Sequence, residues 1–183
     1  MAEIRGMMAA SLDGFAADAD GGVGWLARFE VADWGYGAFL AEIGTVVMGR
    51  RTYLQTLTLS PDWPYPGKRA LVVSRTLQQP LASGAELWSG GLAALAAHLR
   101  ALKGGDVWVL GGPMLQSALI ALGALDRLEL CVVPHILGGG IAAFAPGAPP
   151  EVQPQLAGVR QLPLGMVMLD YRFGASGRGG RAL

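Results

Sequence analysis

Five short apolar runs constrain this chain more than any other feature: residues 7–10, 45–48, 70–74, 107–110 and 125–133. The first four show no polar alternation of a half-exposed strand, so each reads as a strand buried on both faces, and 125–133 reads as a longer strand. Strands of that kind belong to a mainly parallel sheet covered by helices on either side. Helical intervals fill the spaces between them. Residues 33–43 carry Trp34, Phe39, Leu40 and Ile43 at helical spacing and stop at Gly44. Residues 49–56, an Ala/Leu-rich stretch at 92–102 ended by Gly104-Gly105, and residues 114–122 read the same way. A last strand is expected over 165–173. Residues 15–24 and the Gly- and Pro-rich 138–154 are expected as loops, and Trp63-Pro64-Tyr65-Pro66-Gly67 as a rigid one. With no repeat and no linker, residues 1–174 are expected to form one domain, followed by a flexible tail over 175–183.

Composition narrows the function. At 183 residues the chain has room for one sizeable core, and 52% hydrophobic against 15% charged residues excludes a disordered polymer. A formal net charge of zero offers nothing to track a phosphate backbone, so a nucleic-acid partner is not expected. Cys131 stands alone in an apolar run, and the only histidines are His98 and His135. That inventory supports neither a disulfide nor a metal cluster nor a Ser-His-Asp triad. No segment reaches the length of a membrane span, and residues 1–5 lead into a strand without a signal-like apolar region. A cytoplasmic protein with no membrane partner is expected.

Ligands of parallel sheets collect at the carboxyl ends of the strands. Three ends here carry suggestive residues. Gly49-Arg50-Arg51-Thr52-Tyr53 follows the second strand: glycine allows close approach of a phosphate and the helix start favours anions, though paired arginines at a helix start are also an ordinary solvated feature. Ser74-Arg75 follows the third and reads either as a phosphate grip or as a turn with a solvent-facing arginine. Gly111-Gly112-Pro113 follows the fourth, leaving room for a pyrophosphate or simply forming a tight strand-to-helix turn.

The order of these motifs resembles the dihydrofolate-reductase-like superfamily: strand, M-G-R-x-T-Y, strand-S-R, then strand-G-G at a helix start. Ser11-Leu12-Asp13-Gly14 and the stretch from Val133-Pro134-His135 to Gly138-Gly139-Gly140 extend the likeness. It is to stand-alone bacterial proteins similar to the reductase half of the riboflavin-biosynthesis deaminase-reductase. The resemblance implies a single-domain, three-layer α/β fold, with about eight strands in a mixed, mainly parallel sheet and an antiparallel C-terminal strand. It implies a homodimer and NADPH across the strand ends. Gly49, Arg50, Arg51 and Thr52 would hold phosphates, and Ser74 and Arg75 would face the adenosine 2′-phosphate. Gly111, Gly112, Pro113, Met114 and Leu115 would line the pyrophosphate, with a non-proline cis bond between the two glycines. Ala10 would present backbone to the nicotinamide.

On the substrate side, Leu12, Trp25 and Tyr53 would border the pocket, and Asp13 and Asp33 are the candidate catalytic carboxylates. Asp33 lies 16 residues before Gly49, where such reductases place a carboxylate on the first helix, yet it also suits a helix N-cap. Glu30 is a further candidate. Trp25, Trp34, Trp63 and Tyr65 could wall a flat heterocycle or simply pack the core. Met7 stands near the place where pyrimidine reductases carry a lysine. The expected function is hydride transfer from NADPH to a planar heterocycle, pterin- or pyrimidine-like. Two rivals stand beside it: an inactive nucleotide-binding module and a flavodoxin-like domain with no NADPH site.

Overall fold

The computed structural model describes residues 2–29, 34–60, 62–145 and 153–174. Each apolar run becomes a strand. The first is β1 (Ile4–Ser11), followed by a three-residue β2 (Phe15–Ala17) and a 3-10 turn over Gly24–Phe29. Then come α1 (Tyr36–Glu42), β3 (Ile43–Gly49), α2 (Arg50–Leu59), β4 (Arg69–Val73) and β5 (Glu86–Trp88). The chain continues as α3 (Leu92–Ala101), β6 (Asp106–Gly111), α4 (Pro113–Ala121) and β7 (Arg127–Val133). It closes with β8 (Ile141–Ala142), β9 (Gln155–Gln161) and β10 (Val167–Arg172).

Eight strands form one sheet in the order β5-β4-β3-β6-β1-β7-β10-β9. The pairings from β5 to β7 are parallel, while β10 is antiparallel to both β7 and β9. Among the described residues, one reversed strand at the C-terminus, β10, is therefore the only departure from a parallel sheet, as expected. Alternate residues of each strand feed two cores. Ile4, Val47, Val107 and Val109 meet Leu95 and Leu99 of α3 and Leu119 of α4. On the opposite face Met7, Val46, Met48 and Trp108 meet Phe39 of α1 and Tyr53 of α2. A fully buried side chain of this size contributes about 1.5–3 kcal/mol, which fixes the layers. No helix among the described residues is long and apolar enough to cross a membrane.

The structure departs from the sequence reading in its least apolar strands. β5 and β9 were not anticipated: both are sheet edges, and six of the seven residues of β9 are exposed, so neither needs a buried run. The expected loops at 15–24 and 138–154 each contribute one short strand, β2 and β8, which pair in a separate two-stranded ribbon. Gly44 does not end a helix, because β3 has already begun at Ile43. Its lack of a side chain matters for another reason: a Cβ there would stand 2.1 Å from the carbonyl oxygen of Gly104. The tail 175–183 lies outside the described residues.

Candidate cofactor and substrate cleft

A cleft of about 1220 Å³ opens between the carboxyl ends of β3 and β6 and extends over β1 and β7. One end of it is built from backbone. Helices α2 and α4 both start there, with Gly49 and Gly112 as N-caps and no side-chain cap on either. Both helices point the positive end of their dipoles toward the same crevice, but α4 starts on Pro113, which has no N–H, and its Leu115 N–H donates to the Gly112 carbonyl at 3.0 Å, so the free first-turn donors come mainly from α2 and from Met114. Gly111 has φ +134°, a backbone conformation that L side chains rarely adopt, and a Cβ on Gly112 would meet Thr52 Oγ1 at 3.4 Å. The peptide bond between these glycines is cis. Arg50 and Arg51 line the cleft, are exposed, and make no hydrogen bond or ion pair among the described residues. The donor set fits a diphosphate: two helix starts, two free cations and a cradle that a side chain would fill.

Gly49, Arg50, Arg51, Thr52, Gly111, Gly112, Pro113, Met114 and Leu115 all line this end, so the structure brings together most of the residues expected to hold a cofactor. Ala10 lies just beyond, 3% exposed within β1, while its neighbour Ala9 lines the cleft. Ser74 and Arg75 sit one strand outward, off the lining. The Ser74 hydroxyl accepts the N–H groups of Thr76 and Leu77, both at 3.1 Å, which makes it a turn residue, while Arg75 is exposed with no partner among the described residues.

The other end is a chamber of side chains. Met7 and Ala9 of β1, Trp108 of β6 and Cys131 and Val133 of β7 form its floor, and Leu26, Phe29, Trp34 and Met166 close it. Burial pushes the Cys131 thiol up, so it behaves as an inert apolar group. Asp20 is the one carboxylate in the lining among the described residues, and it is exposed. The strap of residues 20–23 that carries it is tied to α2 by Gln55, whose Nε2 donates to the Gly21 carbonyl at 2.8 Å.

Several expected substrate residues lie elsewhere. Tyr53 is 2% exposed and donates its hydroxyl to the Ala82 carbonyl, so it is a core residue of α2 and cannot touch a substrate. Trp63 and Tyr65 pack edge-to-face in the same core, Tyr65 against Trp108. Trp25 lies off the cleft lining, stacked on His135 at 5.6 Å. Leu12 is 62% exposed, and its N–H donates to the His135 carbonyl. The Asp13 carboxylate is also turned away: it accepts the Ser11 hydroxyl and the N–H groups of Leu137 and Gly138. Asp33 and Glu30 lie outside the described residues. The sequence reading named Met7 only as standing near a lysine position and Trp34 as a possible wall, both of which line the chamber, and it missed Trp108, Val133, Leu26, Phe29 and Gln55. Trp108 was legible in principle, because it alternates with Val107 and Val109 and so had to face the layer that closes the chamber.

A three-layer sheet with glycine-bounded helix starts at its central crevice defines a domain of the dihydrofolate-reductase-like type. Within that class, residues 3–168 match the RibD C-terminal domain, and the chain belongs to that family of riboflavin-biosynthesis reductase-like proteins. The uncharacterized protein YwjB of Bacillus subtilis is 34% identical over 138 residues, 75% of this chain and 79% of that one. A protein of Shewanella sp. PV-4 ascribed to riboflavin biosynthesis superposes with a TM-score of 0.84 at 25% identity, over 96% of this chain and 100% of the other. The Thermotoga maritima diaminohydroxyphosphoribosylaminopyrimidine deaminase/5-amino-6-(5-phosphoribosylamino)uracil reductase shares the fold, with a TM-score of 0.70 at 16% identity. The match covers 94% of this chain and 57% of that enzyme.

Proposed function

We propose that this protein is an NADPH-dependent reductase of a small planar heterocycle. The observation that carries the reading is the meeting of two uncapped helix starts and two unpaired arginines at the mouth of an apolar chamber. When bound, NADPH would supply a hydride that adds with a solvent proton across a C=N or C=O bond and leaves NADP⁺. The chain's own work is binding and exclusion. The first-turn N–H groups of α2 and the Met114 N–H at the start of α4, with Arg50, Arg51 and Thr52, hold phosphate oxygens. Arg75 reaches the 2′-phosphate and Ala10 offers backbone to the nicotinamide. Met7, Trp108 and Val133 keep water from the reacting face. Asp33 is the proposed carboxylate beside the substrate. We assign the working state to a homodimer.

Calorimetric titration with NADPH and NADH tests the cofactor. Binding of NADPH at least tenfold tighter than NADH, about 1.4 kcal/mol, is expected, and replacing Arg75 by Ser should erase the preference. Failure to bind either nucleotide would remove the reading.

The exposed position of Asp20, the sole described carboxylate of the cleft, favours one rival: a module that binds the cofactor without turnover. Asp33→Asn separates the two. Loss of NADPH oxidation with retained NADPH affinity supports the reductase. Binding without oxidation by the wild type, across a panel of heterocycles, supports the module.

A further inference from the structure

The two ends of the cleft differ in charge. Both of its cations, Arg50 and Arg51, stand in the first turn of α2 beside the glycine cradle. Among the described residues lining the chamber end there is no lysine, arginine or histidine. Met7, Phe29, Trp108, Val133 and Met166 are each 5% exposed or less. The nearest cations are committed elsewhere or face solvent. Arg28 lies over the Phe29 ring at 4.4 Å, with Nη2 3.5 Å from the Pro134 carbonyl oxygen. Arg160 of β9 is exposed and outside the lining; its Nη1 lies 3.9 Å from where a Cβ on Gly35 would stand, beside Trp34, and its charge is felt at Cys131 from the rim. An anion entering the chamber would lose its hydration and find no cation in the lining to pair with, only Arg160 at the rim, whereas a flat apolar ring would find sulfur, aromatic and aliphatic walls.

We propose that the chamber selects an uncharged, unphosphorylated aromatic ring compound and discriminates against a phosphorylated one. This rests on the reductase reading only in treating the chamber as the substrate's end of the cleft. Selection is then by exclusion: an unpaired phosphate is rejected more strongly than a ring is attracted.

A matched pair of probes tests it: 1-naphthol and 1-naphthyl phosphate, titrated by fluorescence into wild-type protein and Leu26→Arg, with and without saturating NADPH. With NADPH present, 1-naphthol is expected to bind at least about tenfold tighter than 1-naphthyl phosphate. Leu26→Arg, which adds a cation at the chamber wall, is expected to narrow or invert that ratio. Equal or tighter binding of the phosphate by the wild type overturns the proposal, as does failure of both probes to bind. The wild-type ratio decides the matter even where the arginine variant does not fold. NADPH affinity is read separately by calorimetry. Absent NADPH binding with the naphthol preference intact removes the reductase reading and leaves the chamber's selectivity standing. NADPH binding with the phosphate preferred does the reverse.

Discussion

Asp13 ties two segments together through both carboxylate oxygens. Oδ1 accepts the Ser11 hydroxyl at 2.6 Å and the Leu137 N–H at 3.1 Å, and Oδ2 accepts the Gly138 N–H at 2.7 Å. The Ser11 hydroxyl first, and the two backbone donors after it, hold the carboxyl well below its ordinary range, at about 2. A folded-state pKa below the unfolded one means that the charged clasp stabilises the protein at neutral pH. That contribution is lost as pH falls from the ordinary carboxylate range through about 2. Asp13 is thus fully ionised near neutrality and cannot donate a proton there. Asp13→Asn is expected to lower the hydrogen-exchange protection of the Leu137 and Gly138 amides at pH 7, a loss that the wild type shows only near pH 2. Unchanged protection would mean that the Leu12 N–H to His135 carbonyl bond alone holds the segment. The sequence motif S-L-D-G was readable, but the destination of its carboxylate was not. A strand-end Asp looks the same whether it faces a pocket or a neighbouring loop 124 residues away in sequence. Tyr53 fails for a related reason: a helix start announces anion binding, but only the direction of packing decides which of its residues face the cleft.

At the scale of elements, the sheet is pinned at the strand ends opposite the cleft. Arg5 of β1 is 3% exposed and reaches Glu42 at the end of α1, Asp106 of β6 and Glu129 of β7. Arg127 extends the chain of charges to Glu129 and, through two 2.8 Å bonds, to Asp170 of β10. Burial alone would lower the Arg5 pKa, but Glu42, Glu129 and Asp106 more than offset it and hold the guanidinium charged. Glu129 is nearly as buried as Arg5, whereas the Glu42 side chain is 61% exposed. Glu129→Ala leaves a buried cation short of its partner and is expected to cost about 3–5 kcal/mol in urea unfolding, against about 1 kcal/mol or less for Glu42→Ala. Equal losses would show that the network acts as a unit instead of through its buried member. The central strands were legible because burial on both faces wrote itself as uninterrupted apolar residues at 45–48 and 107–110. β9 carried no such signature. It reads Gln-Leu-Ala-Gly-Val-Arg-Gln, and its existence depends on β10 lying beside it, not on its own pattern. The charge network was equally silent, since its bonded pairs lie up to 124 residues apart.

At the scale of the whole molecule, the described residues leave one broad apolar face uncovered. Beyond α4, the α3/α4 side of β7, β10 and β9 presents Leu130, then Tyr171 and Leu169, then Leu156 and Val159, while Leu128 is buried in the core beside them. Their register pairs Leu156 with Tyr171 and Val159 with Leu169, and so keeps them on one side. Leu156 and Val159 are 55% and 56% exposed, and Phe144 and Phe173 border an apolar hollow of about 330 Å³ on the same face. A patch of this kind on an edge strand invites association. A second copy of the chain suits it, because a flat apolar patch is complementary to itself about a two-fold axis and a net charge of zero opposes no approach. Sedimentation velocity of the wild type is therefore expected to give twice the mass of one chain. In Leu156→Glu/Val159→Glu, four carboxylates would meet at the interface, and each lost side chain was worth about 1.5–3 kcal/mol if fully buried. The dimer dissociation constant is expected to rise at least about 100-fold, near 2.7 kcal/mol. Both positions are exposed within the single chain, so circular dichroism of the double variant should match the wild type. A wild type that sediments as one chain at micromolar concentration would remove the dimer. A double variant that still pairs would move the interface off β9.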